Sequence, residues 1–333
     1  MGNNKWNILW LNSYAEDKEI IEKLRSNGFN VYQTSLGLDD DYILNLNWKD
    51  KVDIIVFSSV NTKVDKSIIE KFKNLKLILT RSTYCNHIDI RYCRERDIKA
   101  CCIRGYSTIS TAEYTVTLIL SLLRKIKSTI LNIEKCIFER DMGTDLYGKV
   151  VGVIGTGNIG SNVAKVLTCL GAEVKCWSFR KRKELEDVGI KYISLEELYE
   201  TSDVITFHLA LSDKTYHIFN KDTLKILKHG VYLINTGRGE LVDLEAVYEG
   251  LKRNIIAGCA LDCFEGENFF MRGNKDVDPY KIQIIKEIAK YPNVIITPHN
   301  AYNSKEAIIR DIEFTYKSII HFRETGGCLY PCL

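Results

Sequence analysis

Three residues in the carboxyl-terminal half could together perform acid–base and anion chemistry. Arg238 follows the apolar run LINTG, Glu267 follows ALDCFEG, and His299 follows IITP. A guanidinium offers a planar fork to a carboxylate, an imidazole exchanges protons near neutrality, and a carboxylate can orient an imidazole. In an open parallel sheet, ligands bind beyond the carboxyl ends of strands, so residues that each follow a strand can converge. Singly, each reads more readily as a surface cation, a surface anion or a structural histidine; the conjunction carries the chemistry. A fourth feature is VVGVIGTGNIG, which places Gly155, Gly157 and Gly160 as G-x-G-x-x-G between an apolar strand and a helix over 161–170. Such a turn brings backbone close to a pyrophosphate, and the following helix N-terminus supplies free N–H groups and partial positive charge.

Positioning these groups requires a particular set of elements. Short apolar runs alternate with longer amphipathic segments, the pattern of βα units and parallel sheets. Residues 7–11, 52–57 and 76–80 are predicted as strands of a first unit, with helix-like segments at 17–27 and 66–74. A second series runs through 150–155, 173–178, 204–208, 231–236, 258–262 and 294–298. These strands are nearly continuous apolar runs, as expected where helices cover both sheet faces. Residues 110–126 read as one long helix bridging the two series, and 304–322 is again helical. A chain of 333 residues favours two domains.

Composition excludes several classes. Hydrophobic residues make up 45% and charged residues 27%, which argues against wholesale disorder. Lys and Arg number 46 against 43 Asp and Glu, a balance giving no reason to expect nucleic acid or an acidic membrane as partner. No apolar run approaches the roughly 18 residues of a membrane helix, and no secretory signal pattern opens the chain; a cytoplasmic location is the expectation. The 11 cysteines include no C-x-x-C pair, so neither a disulfide framework nor a metal site is expected. Most should be small buried hydrophobes, and Cys328 and Cys332 could pair near the tail.

The end of the second strand of the glycine-turn unit bears on cofactor type. An NAD site normally carries Asp or Glu there for the ribose 2′-hydroxyl. Ser178 stands there instead, followed by Phe179-Arg180-Lys181-Arg182-Lys183. Cations pair with a 2′-phosphate that a carboxylate would repel, so NADP(H) is favoured over NAD(H).

The segments INTGRGELVD, ALDCFEGE and ITPHNAY, in this order and spacing, resemble the signatures of the D-isomer-specific 2-hydroxyacid dehydrogenase family, with similarity from about residue 50 to 322. The resemblance implies two Rossmann-like doubly wound parallel-sheet α/β domains with the active site in the cleft between them. The substrate-binding domain would comprise 1–108 plus 300–333, and the dinucleotide-binding domain 109–299. It also implies hydride transfer between NAD(P)H and a small 2-oxo acid, giving a D-2-hydroxy acid. Arg238 would hold the substrate carboxylate and polarise the 2-oxo group, and His299 would deliver the proton. Glu267, five residues after Asp262, would partner His299; Glu265 is a near neighbour outside the family pattern. Besides the three glycines, the cofactor side would include Asn158, Ile159, Ser178, Arg180, Arg182, Leu209, Ala210, Thr215, Thr236, Gly237 and Asp262, the last at the nicotinamide carboxamide. A homodimer built largely through 110–148 is implied as well.

Finer matches resemble the D-lactate dehydrogenase subgroup. TRSTYCNHIDI (80–90) is similar to the family's carboxylate-cradling loop, with Tyr84, Cys85 and Asn86 on the substrate side. Tyr106 and Tyr302 match positions facing substrate, and the long segment between Glu267 and Pro298 also fits. Cys85-Asn86-His87 with the Ser-Arg cofactor loop looks most like the vancomycin-resistance type, which points to pyruvate and D-lactate. Three departures stand out: Tyr84 replaces Gly, Thr108 replaces Pro, and Leu209-Ala210 replaces Val-Pro. Other acids of the family (glycerate, phosphoglycerate, phosphite) and a non-catalytic dinucleotide-sensing role are the alternatives. Arg81 and Arg104 are the only nearby cations for a phosphorylated substrate.

Overall fold

Runs of Ile, Val and Leu that bury both their faces become strands, because helices shield the sheet on each side. The computed structural model describes residues 5–38, 40–58, 63–270 and 278–332, and the chain divides into two compact units, 1–107 with 304–333 and 108–303. In the first unit β1 (Asn7–Trp10), β2 (Asn30–Gln33), β3 (Ile54–Phe57), β4 (Leu77–Thr80) and β5 (Lys99–Cys101) form one parallel sheet in the order β2-β1-β3-β4-β5. The central strands β3 and β4 are fully buried, whereas β2 and β5 are short edges with partly polar sequences, which is why the apolar-run criterion passes over them. The helix Lys305–Thr325 returns to this unit, capped by Ser304 at its start and by Gly326 at φ 69° at its end. Its stripe of Ile312, Ile319 and Phe322 packs into the cluster around Ile8, Trp10 and Ile54.

In the second unit β6 (Val150–Ile154), β7 (Glu173–Trp177), β8 (Lys191–Tyr192), β9 (Val204–Phe207), β10 (Val231–Asn235), β11 (Ile256–Leu261) and β12 (Val294–Ile296) run parallel in the order β12-β11-β10-β9-β6-β7-β8. Strand β6 has β7 on one side and β9 on the other, so the sheet changes direction of growth beside the glycine turn. The helix predicted over 110–126 is Thr108–Leu123, and Lys125, at a left-handed φ of 51°, separates it from a further helix, Ile126–Glu134. The first packs on the helix Asn158–Cys169 within this unit. Among the described residues, no helix is long and apolar enough to cross a membrane. The long segment expected between Glu267 and Pro298 includes 271–277, outside the described residues; the helix Pro279–Ala289 follows.

The cysteine expectation is corrected. Cys85 is bonded to Cys332, and Cys101 to Cys328, with Cα separations of 5.9 and 5.7 Å. Cys328 and Cys332 therefore do not pair with each other. The tail runs antiparallel beside β5: Cys332 N donates to Ala100 O and Cys102 N to Tyr330 O, both at 2.9 Å. This covers an otherwise open sheet edge. Sequence separations of 247 and 227 residues hide such proximity from any spacing rule. Of the seven free cysteines, Cys93, Cys102, Cys176, Cys259 and Cys263 are buried as expected, whereas Cys136 and Cys169 are exposed.

One buried ion cluster joins three parts of the first unit. Arg81, just past β4, donates Nη1 to Asp17 Oδ2 at 2.9 Å, and Nε and Nη2 to Asp311 Oδ2 at 3.0 and 2.7 Å. Asp17 Oδ2 also accepts from Trp10 Nε1 and Tyr14 N. One guanidinium thus faces two carboxylates, and burial together with the nearby Asp17 charge pushes Asp311 up to about 6 against the pull of Arg81. Among the described residues Asp311 Oδ1 has no hydrogen-bond partner, and it offers a place for the proton. A carboxyl whose folded-state pKa lies above its unfolded value stabilises most when protonated, so its contribution is lost as pH rises from 3.8 through about 6. Denaturant titrations across this window should show stability falling by about 2–3 kcal/mol from this group. D311N should flatten that slope; an unchanged slope in D311N would refute the assignment.

Candidate active site

The glycine turn is built by close approach. Gly155 follows β6 at φ 97°, where a Cβ would lie 2.8 Å from the His208 backbone, and a Cβ on Gly160 would come within 1.9 Å of Gly155 O. Larger residues would push the helix Asn158–Cys169 off the strand. Around Gly157, by contrast, a Cβ would meet nothing within 4 Å, which leaves room above the N-terminus for a bulky anion. The turn is therefore suited to a dinucleotide pyrophosphate. Asn158 and Ile159 open the helix, and Asn158 Oδ1 accepts from Arg182 Nη2 at 2.8 Å. Arg182 also pairs with Glu184, while Arg180 is exposed and half-buried Ser178 follows the end of β7. Tyr192 fixes this loop: its hydroxyl donates to Thr156 Oγ1 at 2.8 Å and accepts from Arg182 N at 2.9 Å.

Beyond β9, buried Leu209 and exposed Ala210 lead into a turn that Thr215 closes, its hydroxyl donating to Ala210 O at 2.7 Å. Thr236 is buried with its hydroxyl 2.8 Å from that of Thr115, and Gly237 N donates to Asn235 Oδ1.

Arg238, Glu267 and His299 follow three neighbouring strands, β10, β11 and β12. Asn235 Nδ2 donates to Arg238 O at 2.8 Å and to Cys263 O at 3.1 Å, clamping the first two loops together. Gly239 permits their contact, since a Cβ there would lie 2.4 Å from Phe264 C. The Glu267 carboxylate meets His299 Nδ1 at 2.8 Å through Oε1 and accepts from Phe264 N through Oε2. The turn 297–301 is organised by Asp262, which is wholly buried. Its Oδ1 accepts from Thr297 Oγ1 at 2.6 Å and Asn300 N at 2.8 Å, and its Oδ2 from Ala301 N at 2.9 Å. These bonds hold His299 at φ 52°, a left-handed conformation that costs about 1 kcal/mol or more. Tyr302 lies beside it, edge-on to the imidazole at 6.3 Å.

Sequence reasoning did not single out Asn235, nor Cys263, whose Sγ lies 3.6 Å from His299 Nε2. Glu265 serves a different partner set: its Oε1 is 2.8 Å from His217 Nε2 and accepts from Lys281 Nζ at 3.0 Å. No sequence signal links residues 217, 265 and 281.

In the first unit, Tyr84 and Cys85 are half-buried and Asn86 is exposed. Tyr84, standing where the family has glycine, has no left-handed φ; Ser82 Oγ donates to its carbonyl at 2.6 Å and shapes the loop. Cys85 is tied to the tail rather than presenting a thiol. His87 is held neutral by burial, its pKa lowered to about 4. Tyr106 accepts from Arg310 Nε through its carbonyl at 2.7 Å. Arg81 is corrected as a candidate phosphate ligand: its side chain has no exposed surface and both neighbouring carboxylates engage it.

Comparison with known proteins agrees with this geometry. Residues 116–301 match the family described as "D-isomer specific 2-hydroxyacid dehydrogenase, NAD binding domain". An aromatic 2-oxoacid reductase of Clostridium sporogenes is 35% identical over 80% of this chain and 82% of that protein. A D-specific alpha-keto acid dehydrogenase of Enterococcus faecium is 36% identical over 78% and 80%. The crystal structure of D-lactate dehydrogenase from Aquifex aeolicus complexed with NAD and lactic acid superposes with a TM-score of 0.84 at 34% identity, covering 96% of each chain. Its glycine turn, its Arg, Glu and His on neighbouring strands and these relatives agree: the chain belongs to the D-isomer specific 2-hydroxyacid dehydrogenase family.

Proposed function

We propose that the protein reduces a small 2-oxo acid to the D-2-hydroxy acid, with pyruvate to D-lactate as the first candidate and NADPH preferred over NADH. The observation that carries the reading is the Glu267–His299 pair at 2.8 Å, at the same carboxyl end of the parallel sheet as the glycine turn. The nicotinamide cofactor, when bound, supplies the hydride. With its proton on Nδ1 shared with Glu267, the imidazole can carry a second proton on Nε2 and release it to the carbonyl oxygen, the neighbouring carboxylate stabilising the imidazolium until then. Arg238 offers its fork to the substrate carboxylate. Asp262, spent on the turn, acts by positioning His299. Similarity to a D-lactate dehydrogenase and the bulk of Tyr84 in the carboxylate loop favour a small substrate; buried Arg81 disfavours a phosphorylated one.

The NADPH preference rests on Ser178 at the end of β7 and on Arg182, held by Asn158 beside the turn. A homodimer is supported by the helix Ile126–Glu134 and the segment after it. That helix buries none of its residues, yet carries Ile126, Ile130 and Ile133 along one exposed stripe, and Phe138 and Met142 beyond it are 85% and 87% exposed. So much apolar surface fits a self-complementary interface.

Nicotinamide oxidation should be followed against pyruvate, longer aliphatic 2-oxo acids and phenylpyruvate. Turnover should fall by about 10²–10⁴-fold in H299A. Turnover only on phenylpyruvate would move the substrate assignment toward the aromatic reductases, and binding of cofactor with no turnover on any acid would overturn the enzymatic reading. S178D should weaken NADPH relative to NADH by about tenfold, the effect of roughly 1.4 kcal/mol of repulsion; an unchanged ratio would sink the preference. Sedimentation should show a dimer for the wild type and a monomer for I130D/F138D, whereas a monomeric wild type would remove the interface.

A further inference from the structure

The two nitrogens of His299 have different neighbours. Nδ1 is 2.8 Å from Glu267 Oε1, and Nε2 is 3.6 Å from Cys263 Sγ. We propose that Cys263 and His299 form a binding site for a thiophilic divalent cation of the zinc type, and that occupancy arrests the enzyme by taking the Nε2 that otherwise delivers the proton. The arrest rests on the reading of His299 as proton donor; the site itself does not.

Three observations converge on it. Zinc–sulfur and zinc–nitrogen bonds of about 2.3 and 2.0 Å meeting at a tetrahedral angle put the two ligand atoms about 3.5 Å apart, and the observed separation is 3.6 Å. A metal-bound histidine characteristically donates its other ring N–H to a carboxylate, which fixes the ring and raises its basicity; Glu267 already occupies that place. One ligand atom each of Cys263, Glu267 and His299 lies within 4.8 Å of the others, so a carboxylate stands beside the ion.

Cys263 is itself buried, but the imidazole is 28% exposed, so an ion arrives from the His299 side. Binding exchanges the thiol proton for the metal: an S–H bond breaks, an S–metal bond forms, one proton leaves to solvent, and no oxidation state changes. Two protein ligands leave the remaining positions to water. An S–H···N hydrogen bond has the same reach, so the test must detect the metal–sulfur bond directly.

Chelator-stripped protein, without cofactor, would be titrated with Co²⁺ and followed by the thiolate-to-cobalt charge-transfer absorption. The expected result is a band saturating at one ion per chain, absent in C263V and C263S and weakened about tenfold or more in H299Q. The other cysteines persist in these variants and serve as the internal control. In parallel, the Zn²⁺ concentration that halves the reductase rate should rise about tenfold or more in C263V, each protein normalised to its own metal-free rate. A cobalt band that survives in both Cys263 variants, or none in the wild type, overturns the site even if reduction of 2-oxo acids is intact. A band that depends on Cys263 and His299 in a protein that reduces no 2-oxo acid retains the site and removes the proposed function.

Discussion

A single buried carboxylate organises the reactive end of the second unit. Asp262 lies at the end of β11 with no exposed surface and accepts bonds from Thr297, Asn300 and Ala301, so the chain leaving β12 must curl around it. That curl sets His299 in a left-handed conformation, with Nδ1 facing Glu267 on the loop that Asp262 itself begins. Hydrogen bonds to a carboxylate are stronger than neutral ones, and removing one partner would leave the others unsatisfied inside the fold. The His299 geometry is thus a property of the turn more than of the histidine.

The same logic operates at the neighbouring strand. Asn235 holds the carbonyls of Arg238 and Cys263, and Gly239 lets the two loops touch, so the loop after β10 is registered against the loop after β11. Three adjacent strands bring three candidate residues together because each loop is pinned to the next by a buried polar side chain. The glycine turn after β6 uses a different device, close backbone packing against His208.

How much of this was legible in the sequence varies with the physical signal. Strands β6, β9, β10 and β11 are buried on both faces and announce themselves as apolar runs, and the glycine spacing marks the turn after β6. The pairing of Glu267 with His299, rather than Glu265, was implied by the family resemblance. Edge strands β2, β5 and β8 were missed because a half-exposed edge carries no such run. The helix Ile126–Glu134 was missed because a lysine in left-handed conformation, which sets it off from the helix before it, leaves no compositional trace. The disulfides, the Arg81 cluster and the Cys263–His299 contact join residues tens to hundreds of positions apart, and only the folded chain brings them together.

The two disulfides also change the covalent topology of the molecule. Cys85 and Cys101 are bonded to Cys332 and Cys328, so residues 102–327, including the whole second unit, form the interior of a closed ring. A chain closed in this way has no free end in its second unit: a single peptide-bond cleavage anywhere in that unit leaves two fragments still joined through sulfur. The first unit's two separate stretches of sequence are, while oxidised, joined directly through sulfur, and reducing agents leave them joined only by way of the second unit.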